Sequence, residues 1–161
     1  MGGWDRTNQS LTPSQKGILD SVVDTGQRLG MSPDLIHAVA NQAFYESSLG
    51  RFRTNPRHPQ TKGLFQYKQT TWDGNSRPDK LDINSDSDQI TLMYRDAMRY
   101  KAQYEKALTS GGLRSPLSFE QYVELNHHMG DNALEKGDRL PSDFNQKVEN
   151  FGFSILQFPS M

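Results

Sequence analysis

The chain of 161 residues contains no cysteine. Disulfides and thiolate metal sites are therefore excluded, while the compartment stays open. No apolar run approaches the roughly 20 residues that span a bilayer. Net charge is missing too: 18 basic residues stand against 19 acidic ones, so no global field steers the molecule to nucleic acid or anionic lipid. No basic run or RNA-binding signature takes its place. Hydrophobic residues make up only 34% of the chain and mean hydropathy is −0.80, which demands a very polar surface. Eight Phe, six Tyr and two Trp remain to build a core. The length fits one domain, 1–161. The opening MGGWDRTNQS has neither the basic nor the apolar segment of a signal peptide. The expectation is a protein that stays in the cytoplasm or is exported by some other route.

What the sequence does contain is helix punctuation. Thr12-Pro13 offers a cap and a proline at the first helical position, and Gly30 suits the residue past the end. Between them Ile18, Leu19, Val22, Val23 and Leu29 recur at helical spacing. Ser32-Pro33, with Asp34 in the first turn, opens a second helix expected to run to about Leu49 and stop at Gly50. A long helix from near Ser87 to Leu108 would bury Ile90, Met93, Ala97, Tyr100, Tyr104 and Leu108. Ser118 and Gln121 make a capping box for a helix ending at Gly130. A last helix, from about Asp143 to Phe151, would be capped by Ser142 and stopped by Gly152. Residues 50–86 hold Pro56, Pro59, Gly63, Gly74 and Pro78 and read as irregular, with room for a small hairpin. A stretch that long without regular structure is usually functional in a compact domain. The expected fold class is mainly α, α+β at most.

The second helix ends in ANQAFYESSLG, residues 40–50. With Ile36 taken as zero, Glu46 falls at about −80°, beside Val39 and Ala43 on the border of the apolar face. Partial burial and the negative end of the helix dipole both favour a protonated carboxyl. A general acid needs that state. The plain alternative is a border glutamate that reaches water, and position alone leaves both open.

Downstream stand GLFQ, residues 63–66, and TTW, residues 70–72. The ordered set Glu46-Ser47, a loop of modest length, Gly63-Leu64-Phe65-Gln66 and Thr71-Trp72 resembles the soluble lytic transglycosylases, relatives of goose-type lysozyme (the SLT-domain, glycoside hydrolase family 23-like group). DINSDSDQITLMYRDAMRY resembles the next helix of these domains, and LNHHMGDNALE the segment that closes their cleft. Gly130 matches there, and His127 stands where a Leu-Ala-His-x-x-Gly variant has its histidine. The Tyr-Asn pair of many members is not matched. The resemblance spans roughly residues 32–135. It implies a lysozyme-like fold, cleavage of the β-1,4 bond between MurNAc and GlcNAc in bacterial peptidoglycan, and Glu46 as the catalytic acid.

Two-carboxylate glycosidases need a second acid, about 5–5.5 Å or 6.5–9.5 Å from the first. No Asp or Glu stands between Glu46 and Gly63, and Tyr67-Lys68 follow GLFQ where goose-type lysozymes carry an aspartate. This favours the single-acid mechanism that the resemblance implies. Glu46 protonates the leaving oxygen, the substrate's N-acetyl group assists at the anomeric carbon, and Glu46 then acts as base on the C6 hydroxyl. The product is a 1,6-anhydromuramoyl end. One alternative is a muramidase in which Asp73, or an acid between Asp79 and Asp88, positions water. Another, from a different class, is a non-catalytic glycan-binding domain.

Sugars present flat apolar faces and many hydroxyls, so Ser47, Gln66, Tyr67, Tyr45 and His127 are the candidate substrate contacts. Trp72 and Phe65 fit the core better. No cofactor and no metal are expected. Adjacent His127 and His128 point about 100° apart on a helix and cannot share one ion. DINSDSDQI imitates a calcium loop but has Ser87 and Met93 where that loop requires Gly and Glu. Helix capping by Asp86 or Ser87 explains it instead. The arginines of RFRTNPRHP could meet stem-peptide carboxylates, with a solvated loop as the default. The expected partner is the peptidoglycan strand, met by a monomer in the periplasm or cell wall. Phage lysis or a secretion machine would deliver it, and an effector would need a cognate immunity protein.

Overall fold

The computed structural model describes residues 11–76, 79–110, 117–130 and 133. The expected helix from Asp143 to Phe151 lies outside them. The described part is mainly helical. α1 (Pro13–Arg28) starts with a reciprocal box: Gln15 N–H donates to the Thr12 hydroxyl at 3.1 Å, and Thr12 N–H donates to Gln15 Oε1 at 3.0 Å. Leu19, Val22 and Val23 face inward as predicted, but Leu29 does not. It is the C-cap residue, past the last helical turn, and 45% exposed.

α2 (Pro33–Ser47) is two residues shorter than its apolar pattern suggests. Ser48 and Leu49 both adopt left-handed backbone, at φ 52° and 56°. The turn is held by Ser48 N–H on the Phe44 carbonyl (2.8 Å), Leu49 N–H on that of Ala43 (3.0 Å) and Gly50 N–H on the Ser47 hydroxyl (2.9 Å). These bonds satisfy carbonyls that the helix end leaves open. The turn also swings Leu49 into the core, where it is buried.

The central segment is more ordered than its prolines suggest. β1 (Thr61–Lys62) and β2 (Tyr67–Lys68) pair antiparallel, with Thr61 opposite Lys68 and Lys62 opposite Tyr67. The short α3 (Gln69–Asn75) follows, which the sequence did not signal. Its anchor is Trp72, buried and donating from Nε1 to the Leu81 carbonyl at 2.9 Å. Phe65 is buried as well, so both aromatics serve the core. α4 (Asp86–Thr109) is capped by Ser85, whose hydroxyl accepts from Asp88 N–H at 3.2 Å, in place of the expected Asp86 or Ser87. Leu108 is 54% exposed and Ala107 takes its inward place, because the stripe drifts around a long helix. α5 (Phe119–Met129) carries the predicted Ser118–Gln121 box and ends at Gly130, φ 95°.

α4 lies at the centre, touching α1, α2 and α5. The α1–α4 approach depends on Gly26: a Cβ there would fall 2.3 Å from the Tyr94 hydroxyl, which donates to the Val22 carbonyl at 2.7 Å. α4 also fixes the hairpin through Gln89. Its Nε2 donates to the carbonyls of Lys62 (3.0 Å) and Ile83 (2.7 Å), and its Oε1 accepts from Phe65 N–H (2.9 Å). Gly63 makes room for that amide, since a Cβ there would lie 2.2 Å from Gln89 Nε2 at a φ of +81°. No helix among the described residues is long and apolar enough to cross a membrane.

α2 and α5 meet along a polar seam. His37 Nδ1 lies 2.8 Å from Glu120 Oε1, and its other nitrogen faces Asn41 Nδ2 at 3.4 Å. A carboxylate only accepts, so Nδ1 carries the proton. Burial pushes the Glu120 carboxyl up. The His37 bond, its own backbone N–H, the His37 charge and Ser118 outweigh this and hold it below its ordinary value. Stabilisation from a depressed carboxyl is complete above the unfolded value of about 4.3 and disappears as pH falls through the lower folded value.

Two outcomes follow for stability. Gly63→Ala, strained in φ and clashing with Gln89, should cost about 2 kcal/mol or more in urea unfolding. Glu120→Gln should cost about 1–2 kcal/mol at pH 7. It should also flatten the loss of stability between about pH 5 and 3, read from unfolding midpoints across that range.

Candidate active site

Glu46 stands in the last turn of α2, its side chain 13% exposed. It opens on a depression of about 480 Å³ walled by β2, the turn before it, α3 and the end of α5. Gln66, Tyr67, Lys68, Asn75, Asn126 and His127 all line it. Glu46 is the one acid among the described lining residues. The border position derived from periodicity thus places a carboxyl partly in the core and partly facing a polar cavity.

The other predicted residues divide. Gln66 lines the depression, but its side chain is committed to the loop: Nε2 donates to the carbonyls of Arg53 and Gly63, both at 2.8 Å, and Oε1 accepts from the Thr61 hydroxyl at 2.8 Å. Its left-handed backbone, φ 52°, makes the tight turn into β2. Tyr67 presents its ring to the cavity while its hydroxyl turns away to Asp96 at 2.7 Å. Burial, with the Asp96 charge, pushes the phenol well above its usual range, so Tyr67 stays a neutral wall. Asp96 also takes Arg99 (2.7 Å) and Asn75 (3.4 Å), tying α4 to α3 and β2.

His127 packs edge-on against Tyr67 with ring centroids 4.8 Å apart, and Nε2 lies 2.6 Å from the Phe65 carbonyl. The carbonyl accepts, so the Nε2 proton is fixed there. The same nitrogen is 4.0 Å from Glu46 Oε2, too far for a hydrogen bond but close enough to act electrostatically. Ser47 lies outside the depression, buried, and donates to the Ala43 carbonyl at 3.1 Å; its role is the helix end. Tyr45 is half-buried and does not line the depression. Asp73 is exposed, bonded by Gln69 Nε2 at 2.9 Å, and opens on a separate depression with Lys80 and Asp82. Asp79 pairs with Arg95 and Asp86 with Arg53. None of these acids reaches the cavity of Glu46.

The sequence reading missed Glu124. It is fully enclosed on α5, and one of its oxygens lies within 4.8 Å of a Glu46 oxygen, with a His128 nitrogen within that distance of both. The available signal was an acid inside the apolar run Tyr122-Val123-Glu124-Leu125. The adjacent histidines diverge as helix geometry requires, His127 toward the GLFQ turn and His128 toward the carboxylates. Desolvation, then the charges of His127, Lys68 and His58, hold His128 below the usual histidine range although much of its surface is exposed. The acids near Asp82 serve turns: Asp82 N–H donates to Asp88 and Asn84 N–H to Asp82.

No protein-family model matches the chain, and no characterised protein or solved structure compared with it is similar at a significant level.

The commitment of Gln66 to the loop carries its own test. Gln66→Ala should lower stability by about 1–3 kcal/mol, because backbone carbonyls lose their partner. Amide hydrogen exchange should quicken across residues 53–68. A residue whose only task was to touch substrate would leave both unchanged.

Proposed function

We propose that the protein cleaves the β-1,4 MurNAc–GlcNAc bond of bacterial peptidoglycan as a lytic transglycosylase, with Glu46 as its single acid and base. The observation that carries this reading is the partly buried carboxyl of Glu46, the one acid among the described residues lining a polar depression beside the GLFQ turn. The described fold, mainly α with a two-stranded hairpin next to the acid, suits a lysozyme-like scaffold.

In the proposed reaction Glu46 gives its proton to the departing O4 as the C1–O4 bond breaks. An oxocarbenium-like centre develops at C1, assisted by the substrate's own acetamido oxygen. Glu46, now a carboxylate, takes the proton of the C6 hydroxyl while O6 bonds to C1. Glu46 ends protonated again, by the proton from the C6 hydroxyl, and no water is consumed. The Glu46 side chain is 13% exposed, and this partial burial favours its protonated form. Lys68 offers a cationic edge to the depression, suited to the carboxylates of stem peptides. Such an enzyme acts in the periplasm or cell wall.

Glu46→Gln should solubilise purified peptidoglycan about 10²-fold more slowly or worse than the parent, with unchanged circular dichroism. Equal rates would sink the assignment and leave a glycan-binding domain as the alternative. Mass spectrometry of the released fragments separates the chemistries. Anhydromuramoyl ends are expected, whereas reducing ends would turn the reading to a muramidase.

A further inference from the structure

A MurNAc unit held at Glu46 brings its stem peptide with it. The peptide starts at the lactyl group of the same sugar whose C1–O4 bond breaks, so it leaves the depression over one of its rims. Its carboxylates outnumber its amines, and its alanines carry bare methyl groups. Cations beside an apolar floor would suit it. Two other depressions adjoin the central segment. One, of about 370 Å³, holds Asp73 and Asp82 against Lys80 and shares no lining residue with that of Glu46. The other, of about 550 Å³, shares Asn55 and Thr61 with it, so the two meet at that rim.

The lining of this second depression matches those demands. Pro56, Pro59 and Ile83 supply apolar surface, and Arg53 and Lys62 supply cations. Asp86 is the one acid among its described lining residues, and Arg53 pairs with it, which leaves Lys62 as net positive charge. Asp82 and Asp88 turn their carboxylates to the backbone amides of Asn84 and Asp82 and do not line it. The whole segment is biased the same way. Residues 47–72 hold five Lys and Arg and no Asp or Glu, in a chain whose 18 basic and 19 acidic residues otherwise balance. Lys68 continues this charge on the wall of the first depression.

We propose that the second depression binds the acidic stem peptide of the substrate, with carboxylates at Lys62 and Arg53 and methyl groups over Pro56, Pro59 and Ile83; this rests on the reading of Glu46 as the acid of a glycan-cleaving site. The walls are set before a ligand arrives. Gly50 leaves space for the Arg53 guanidinium, since a Cβ there would fall 2.7 Å from Nη2. Asp86 accepts from Nη1, and the planar fork keeps further N–H groups for a peptide carboxylate. The shared rim is pinned by His58 N–H on the Asn55 carbonyl (2.9 Å), Arg57 N–H on Asn55 Oδ1 (3.0 Å) and Thr61 N–H on the His58 carbonyl (3.0 Å). A rim fixed in advance loses little freedom on binding. Peptide held there fixes the attached MurNAc over Glu46, so remote binding energy serves the bond being cut. The enzyme thereby selects peptide-bearing strands over bare glycan.

The test is a 15N NMR titration with the N-acetylated tetrapeptide Ala-γ-Glu-diaminopimelyl-Ala and, separately, with a peptide-free MurNAc–GlcNAc oligosaccharide. The tetrapeptide should shift the amides of Thr54, Asn55, Thr61, Lys62 and Asn84. Those shifts should fade as salt rises toward about 1 M, because exposed charges are then screened. Lys62→Glu changes an exposed side chain and should weaken tetrapeptide binding about fivefold or more. In turnover, kcat/KM of the parent should be about tenfold higher on peptide-bearing strands than on the same strands stripped by an amidase, and Lys62→Glu should bring that ratio toward one. Absence of these shifts at millimolar tetrapeptide, or the same shifts from the bare oligosaccharide, would overturn the proposal. Equal rates on the two kinds of strand would overturn it as well and leave the glycan-cleaving reading standing. Tetrapeptide binding at this depression in a protein that cleaves neither strand would sink that reading and leave the peptide site intact.

Discussion

The side chain of Gln89 holds three backbone groups: the carbonyls of Lys62 and Ile83 and the amide of Phe65. Buried peptide groups left open cost about 1–3 kcal/mol each, so this one amide decides where the central segment lies on α4. The rest of the site hangs from that placement. Gly63 must be glycine for the amide to fit. Gln66 closes the turn from within, and Tyr67 then reaches Asp96 with its hydroxyl. The wall facing Glu46 is therefore built by polar bonds to α4 more than by its own strands, which are two residues each.

The opposite wall follows another logic. α2 and α5 meet through side chains that apolar packing would exclude: His37 with Glu120, then Glu46 with Glu124, His127 and His128. The first of these pairs is in direct hydrogen-bond contact. Toward the cavity the seam becomes a concentration of carboxyl groups, held by the buried turn around Glu124. Structural stability gains nothing from two acids this close. Such an arrangement is what acid–base chemistry requires, and perturbed ionisable groups cluster at functional sites for that reason.

Helix ends were readable because capping is local. Thr12 with Gln15 and Ser118 with Gln121 lie three residues apart and close on each other without help from the rest of the chain. The same locality explains the misreadings. Leu49 continues the apolar pattern of α2, yet a left-handed turn carries it into the core from beyond the helix. α3 holds two threonines and a glycine, weak helix formers, and exists because Trp72 finds the Leu81 carbonyl. Leu29 and Leu108 were assigned inward by spacing and lie outward, one as a cap residue and one at the far end of a drifting stripe.

Sequence alone determined the helical class, most of the helix starts, and the border position of Glu46, because each depends on residues within a few turns. It also ranked Glu46 first among the acids, on the order of motifs that follow. Tertiary structure decided what that carboxyl faces. It committed Gln66 and Ser47 to backbone, turned the Tyr67 hydroxyl inward, left Asp73 on another surface, and brought Glu124 from 78 positions away to within 4.8 Å. Periodicity reports which side of an element is apolar. Which two polar side chains meet across a buried seam is set by how whole helices pack, and no local pattern carries that information.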